Sequence, residues 1–134
     1  MREILFRGKR TDNGEWVYGV PIKDSHGETV MVESVYECEE YNCRGANCLY
    51  VNENTVEQYT GLTDKNGKTI FEGDIVKGNW GTLFTIFYDE ARLQLRTRSQ
   101  LGIERDIDYY QGYNGIEVIG NIYDNPELLS GETE

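Results

Sequence analysis

Three cysteines and one histidine are the residues of this chain best suited to hold a metal or attack a substrate: Cys38, Cys43, Cys48 and His26. Together they could make a Cys3His zinc set. Their spacing argues against it. The cysteines recur every five residues and form no C-x2-C knuckle, so they read as free thiols in a variable loop and no metal is expected. A catalytic thiol needs a positioned base. The single histidine sits in a turn sequence, Asp24-Ser25-His26-Gly27. Glu104, Asp106 and Asp108 alternate, so a strand would put them on one face, where they could meet a hard cation. No ordered loop motif accompanies them, and a solvated acidic run is the plainer reading. Phosphate-binding, dinucleotide, nucleophile-elbow and zinc-protease motifs are all missing from the sequence. No catalytic residue is therefore nominated, no cofactor is expected, and the chain reads as a non-enzyme.

Binding chemistry is better represented. Arg92, Gln94, Arg96 and Arg98 would project from one strand face, about 7 Å apart. That spacing suits successive phosphates. Trp80, Tyr109, Tyr110 and Tyr113 offer aromatics for base stacking. The competing reading docks the arginines on the acidic 104–108 segment, within the fold or across an oligomer. Charge balance favours that second reading: 13 basic residues face 24 acidic ones, for a formal net charge of -11. Such a field repels nucleic acid.

The elements that must position these groups are strands. Turn sequences ending in glycine, Asp12-Asn13-Gly14, Asp24 to Gly27, Asp64-Lys65-Asn66-Gly67 and Asn114-Gly115, separate alternating stretches, which is hairpin grammar. Strands are expected over 2–7, 16–20, 30–32, 82–88, 92–98 and 116–123. Pro21 marks a strand end or an edge. Within 59–77, Asp64, Asn66, Gly67, Gly73 and Asp74 read as turn residues; Asp74 in particular can bond neighbouring backbone N–H groups. Trp16, Tyr18, Phe71, Phe84 and Phe87 are expected in the core. Short helical turns are expected at 54–58 and, with Pro126 at the first helical position, at 125–129. Residues 34–54 lack alternation and read as an insertion or long loop.

Charge is unevenly placed. Residues 61–98 carry 6 basic and 5 acidic side chains, residues 99–134 carry 1 and 8. No apolar run is long enough to span a bilayer, and the polar start, MREILFRGKRTD, does not resemble a secretory signal. The expectation is a cytoplasmic protein of a bacterial host cell with reduced thiols.

Three blocks then carry a resemblance: MREILFRGKRTDNGEWVYG at 1–19, YTGLTDKNGKTIFEGDIVK at 59–77 and IEVIGNIYDNPELL at 116–129. In this order they resemble the YopX family of phage and prophage proteins. The resemblance implies a small β-rich phage-encoded protein and brings no assigned activity or catalytic residue. Residues 34–54 and 99–113 fall outside the blocks. The expected architecture is a single YopX-like domain over 1–134, mainly β, with short meandering strands. Its possible sub-lobes are N-terminal hairpins and a variable loop at 1–58, a small SH3-like barrel at 59–129 and a frayed tail at 130–134. The expected function is binding: a phage accessory protein that contacts a protein partner, as a homo-oligomer. The alternatives are a nucleic-acid-associated β-barrel using the arginine row, or an acidic mimic of nucleic acid.

Overall fold

The computed structural model describes residues 4–38, 43–78, 81–106 and 115–129, with backbone alone for 35–38 and 43–46. The protein is mainly β, with antiparallel sheets and, among the described residues, two 3-10 turns. Contacts divide the chain into two compact units, Met1–Tyr59 and Thr60–Glu134.

The first unit holds β1 (Phe6–Lys9), β2 (Trp16–Lys23), β3 (Thr29–Cys38), β4 (Cys43–Tyr50), a 3-10 turn (Glu53–Thr55) and the start of β5 (Glu57–Thr63), in the sheet order β4-β3-β2-β1-β5. Its core is Val17, Met31 and Val51, with Phe6, Leu49 and Val56 packed against them. The expected first strand starts later, at Phe6, and Ile4 is exposed. The β1 ladder on β2 ends at Gly19. Pro21 lies beyond that end, where a missing N–H costs no β1 hydrogen bond.

The supposed loop at 34–54 is largely a long hairpin. The β3–β4 ladder runs from Val30–Tyr50 to Cys38–Cys43, whereas β2 accompanies β3 only from Thr29 to Val32. Beyond Val32 the hairpin is a two-stranded ribbon. Neither face of such a ribbon needs a period-2 apolar row, so the pattern that announces a strand is missing.

In the second unit the later part of β5 pairs with β6 (Thr69–Phe71). A separate five-stranded sheet comprises β7 (Asp74–Lys77), β8 (Leu83–Asp89), β9 (Gln94–Ser99), β10 (Glu104–Asp106) and β11 (Glu117–Asn121). Its order is β10-β9-β8-β7-β11. The expected small barrel is not closed: the two end strands are not paired with each other. Ile70, Val76, Phe84, Ile86 and Ile116 make the core, with Leu62, Leu95 and Val118 against it. The second 3-10 turn is Pro126–Leu129. Residues 130–134 lie outside the described residues.

Candidate functional site

Strand register decides the arginine row. Leu93 has a left-handed backbone, φ 54°, so β9 begins only at Gln94 and Arg92 stays in the preceding turn. From Gln94 the strand hairpins into β10, and the register sets Arg96 opposite Asp106 and Arg98 opposite Glu104. Each arginine thereby meets acid. Arg96 Nη1 donates to Asp106 Oδ1 at 2.7 Å, and its Nε lies 3.7 Å from Asp89 Oδ2. Arg98 donates through Nε and Nη2 to Glu104 Oε2 at 3.2 and 3.0 Å, and its guanidinium lies 4.4 Å from the Phe87 ring centre. Gln94 donates to Asp106 at 2.9 Å, and Arg92 sits 3.7 Å from Asp89. The Arg96 side chain is only 7% exposed. Phe87, expected in the core, is half-buried on this charged face because it shares β8 parity with Thr85 and Asp89. Trp80, Asp108, Tyr109, Tyr110 and Tyr113 lie outside the described residues.

The β3–β4 register sets Cys38 opposite Cys43. Cys43 and Cys48 lie five residues apart along β4, about 17 Å at strand rise. His26 occupies an exposed turn at the far end of the β2–β3 hairpin. The side chains of Cys38 and Cys43 lie outside the described residues. Among the described residues no cluster of three or more His, Cys, Asp or Glu is arranged for a metal.

The turn aspartates hold backbone. Asp64 Oδ1 accepts from Asn66 N (2.8 Å) and Lys68 N (2.9 Å), and Oδ2 accepts from Val118 N at 3.0 Å. One side chain thus closes the β5–β6 turn, where Gly67 takes φ 83°, and ties it to β11. Burial by itself would raise the Asp64 carboxyl, but the N–H groups of Val118, Lys68 and Asn66 outweigh it and hold the pKa below the usual range. Asp74, 1% exposed, accepts from Phe71 N at 2.8 Å and restarts the chain as β7.

A second surface was missed as a site in the sequence reading. Tyr18, Val20 and Ile22 project from one face of β2 at 48, 45 and 50% exposure. Register places Val32 and Cys48 beside Val20, and Val30 and Tyr50 beside Ile22. Tyr50 is 51% exposed. The opposite parity, Val17 and Pro21, faces inward with Met31 and Leu49. Tyr18 is therefore outside the core, contrary to the sequence expectation. The alternation was visible, but the larger apolar set was assigned to the wrong side. Along the same face Trp16 lies under two cations, Arg7 at 4.6 Å and Lys9 at 5.2 Å. Arg7 also bonds Glu57 at 2.7 Å in a pair with side chains 9 and 5% exposed.

Among the described residues no helix is long and apolar enough to cross a membrane. No curated protein matches the sequence. The crystal structure of protein EF1440 from Enterococcus faecalis is similar, with a TM-score of 0.65 and 24% sequence identity. It covers 97% of this chain and 100% of that one. At that identity the likeness speaks for the fold alone. The family model described as YopX protein matches residues 5–130, and with nearly the whole length matched, the chain belongs to the YopX family.

Proposed function

We propose that the chain works by binding a protein partner, without catalysis, as a phage or prophage accessory protein that forms a homo-oligomer in the host cytoplasm. The observation that supports this most is the row of Tyr18, Val20 and Ile22, flanked by Tyr50, each about half exposed on one sheet face. Large apolar side chains grouped in this way are the ordinary signature of an interaction surface. The nucleic-acid alternative draws less support. The arginine row spends its charge on Asp89, Asp106 and Glu104, and phosphate would have to displace those carboxylates against a net charge of -11. The experiment is affinity capture from host cells, with and without nuclease, comparing the native chain with Tyr18→Ser/Val20→Ser. Capture of a protein that survives nuclease and disappears with the double substitution supports the reading. Capture that requires nucleic acid overturns it.

A further inference from the structure

A strand that ends a sheet carries unpaired N–H and C=O groups and takes up another strand unless something blunts it. Among the described residues the two sheets end in β4, β6, β10 and β11. Three of these are blunted. β6 and β10 hold three residues each, and β10 is Glu104-Arg105-Asp106, exposed throughout. β11 is closed off by the chain around it: Lys65 N donates to Ile116 O, Val118 N to Asp64 Oδ2 and Asn121 N to Asn125 Oδ1. β4 is different. It holds eight residues with neither proline nor lysine. The bulge of the β3–β4 ladder falls between Val32 and Ser34, so the extra residue is on β3 and the edge itself is regular. Hydrogen bonds show which groups the edge presents. Val51 N donates to Thr29 O, whereas Tyr50 O accepts from Thr11 N. Tyr50 therefore turns its backbone groups away from β3, and by the alternation of an antiparallel ladder Cys48, Ala46 and Arg44 do the same. Thr11 closes the edge at Tyr50. The open part is 43–49, centred on Ala46.

We propose that this edge pairs with the same edge of a second copy of the chain, antiparallel about a two-fold axis at Ala46. Ala46 then faces Ala46 of the second copy, and Arg44 faces its Cys48, so the open backbone groups of 43–49 are all used. Two features select a second copy. Beyond Val32 the β3–β4 hairpin has only its own two strands, and a two-stranded ribbon is marginal in water. Each copy supplies the strands that the other lacks. The net charge of -11 keeps copies apart over most of their surface, but Arg44 is the one charged residue of β4, and this register does not set the two arginines opposite each other. The assignment rests on the homo-oligomer of the reading above and adds to it a contact separate from the Tyr18, Val20 and Ile22 row. The axis stands normal to the sheet, so the rows of both copies lie on one side of the joined sheet.

The test is disulfide trapping in the full chain with Cys38, Cys43 and Cys48 replaced by Ser. In the proposed register the two Ala46 Cα atoms are about 5.5 Å apart, inside the range a disulfide spans, and the two Asn47 Cα atoms about 8 Å apart, outside it. Mild oxidation should link Ala46→Cys into a covalent dimer and leave Asn47→Cys single. A second variant, Ala46→Pro, removes an N–H that points across the axis and none that bonds β3. It is made in the Tyr18→Ser/Val20→Ser chain, which isolates the edge contact. The thermal melt should hold, while sedimentation equilibrium shows dimerisation about thirtyfold weaker, two hydrogen bonds being lost by symmetry. The assignment is overturned if Ala46→Cys does not link, if Asn47→Cys links equally, or if the Ala46→Pro chain associates as before. If Ala46→Cys fails to link while Tyr18→Ser/Val20→Ser still strips the captured partner, the edge assignment falls and the interface reading stands. If the link forms but the double substitution leaves capture intact, the edge assignment stands and the interface reading falls.

Discussion

Asp64 shows how much one short side chain can hold. Its two oxygens accept three backbone N–H groups, two inside its own turn and one on β11. Asp64→Ala should cost about 3 kcal/mol, about 1 for each orphaned donor, measured as a fall in the urea midpoint. The charge adds a pH dependence. Because the folded pKa is depressed, the stabilisation is complete above the unfolded value of about 4 and is lost as pH falls through the lower folded value. Asp64→Asn removes this titration, so its melting temperature should vary less over that acid range than that of the native chain. An equally steep acid loss in Asp64→Asn would assign the effect to other carboxylates. Gly19 is constrained differently. A Cβ at this position would collide with the Val32 carbonyl oxygen, and its φ of 156° disfavours an L side chain. Gly19→Ala should lose about 3 kcal/mol or more, whereas Gly14→Ala, which meets no atom within 4 Å, should lose only what its positive φ costs.

At the scale of elements, strand pairing converts charge patterns into ion pairs. β9 and β10 read in sequence as a basic row and an acidic run, and the antiparallel register brings one against the other. Arg96 is the buried member. Arg96→Met should destabilise the chain clearly, while Arg92→Gln, an exposed pair at 3.7 Å, should stay within about 0.5 kcal/mol. Arg7 and Glu57 make the corresponding buried pair between β1 and β5. Losing either partner alone leaves an uncompensated buried charge, a cost of about 3–5 kcal/mol. The double change Arg7→Met/Glu57→Leu should cost less than either single change, because no charge is stranded. Chemical denaturation of the three variants makes that cycle. Additive losses would mean that the two charges are not coupled.

For the whole molecule, the decisive question is what covers the Tyr18, Val20 and Ile22 face. Sedimentation velocity should find the native chain heavier than a monomer, and Tyr18→Ser/Val20→Ser shifted towards one. Both residues are half exposed, so the melting temperature of the isolated fold should move little. A monomeric native chain would remove the homo-oligomer from the proposal and leave the protein partner. Substituting Arg92 and Arg98 with Gln should leave any nucleic-acid retention and its salt slope unchanged. A reduced slope would restore phosphate binding by that row.

Local chemistry was legible without coordinates. Asp or Asn before Gly marks turns because the required backbone state and its side-chain bonds lie within four or five residues, and Asp64 to Gly67 and Glu72-Gly73-Asp74 could be read in that way. Alternation announced β2 and β9 because strand parity is local too, and the nearly unbroken apolar run at 82–88 announced β8 as a central strand. The three blocks of the resemblance, taken in order, carried the family. Tertiary structure alone decided which face of β2 turns inward, since alternation gives two faces and not their direction; the face with Val17 and Pro21 became the core and Tyr18 was left outside. It also decided that most of 34–50 is paired strand, β3 against β4, because a pairing between two stretches leaves no mark when neither carries an apolar period. Docking of the arginine row on the 104–108 acid was already favoured by charge balance; the β9–β10 register decided which partners meet, Arg96 with Asp106 and Arg98 with Glu104, because alternation gives a strand its faces and not its partners.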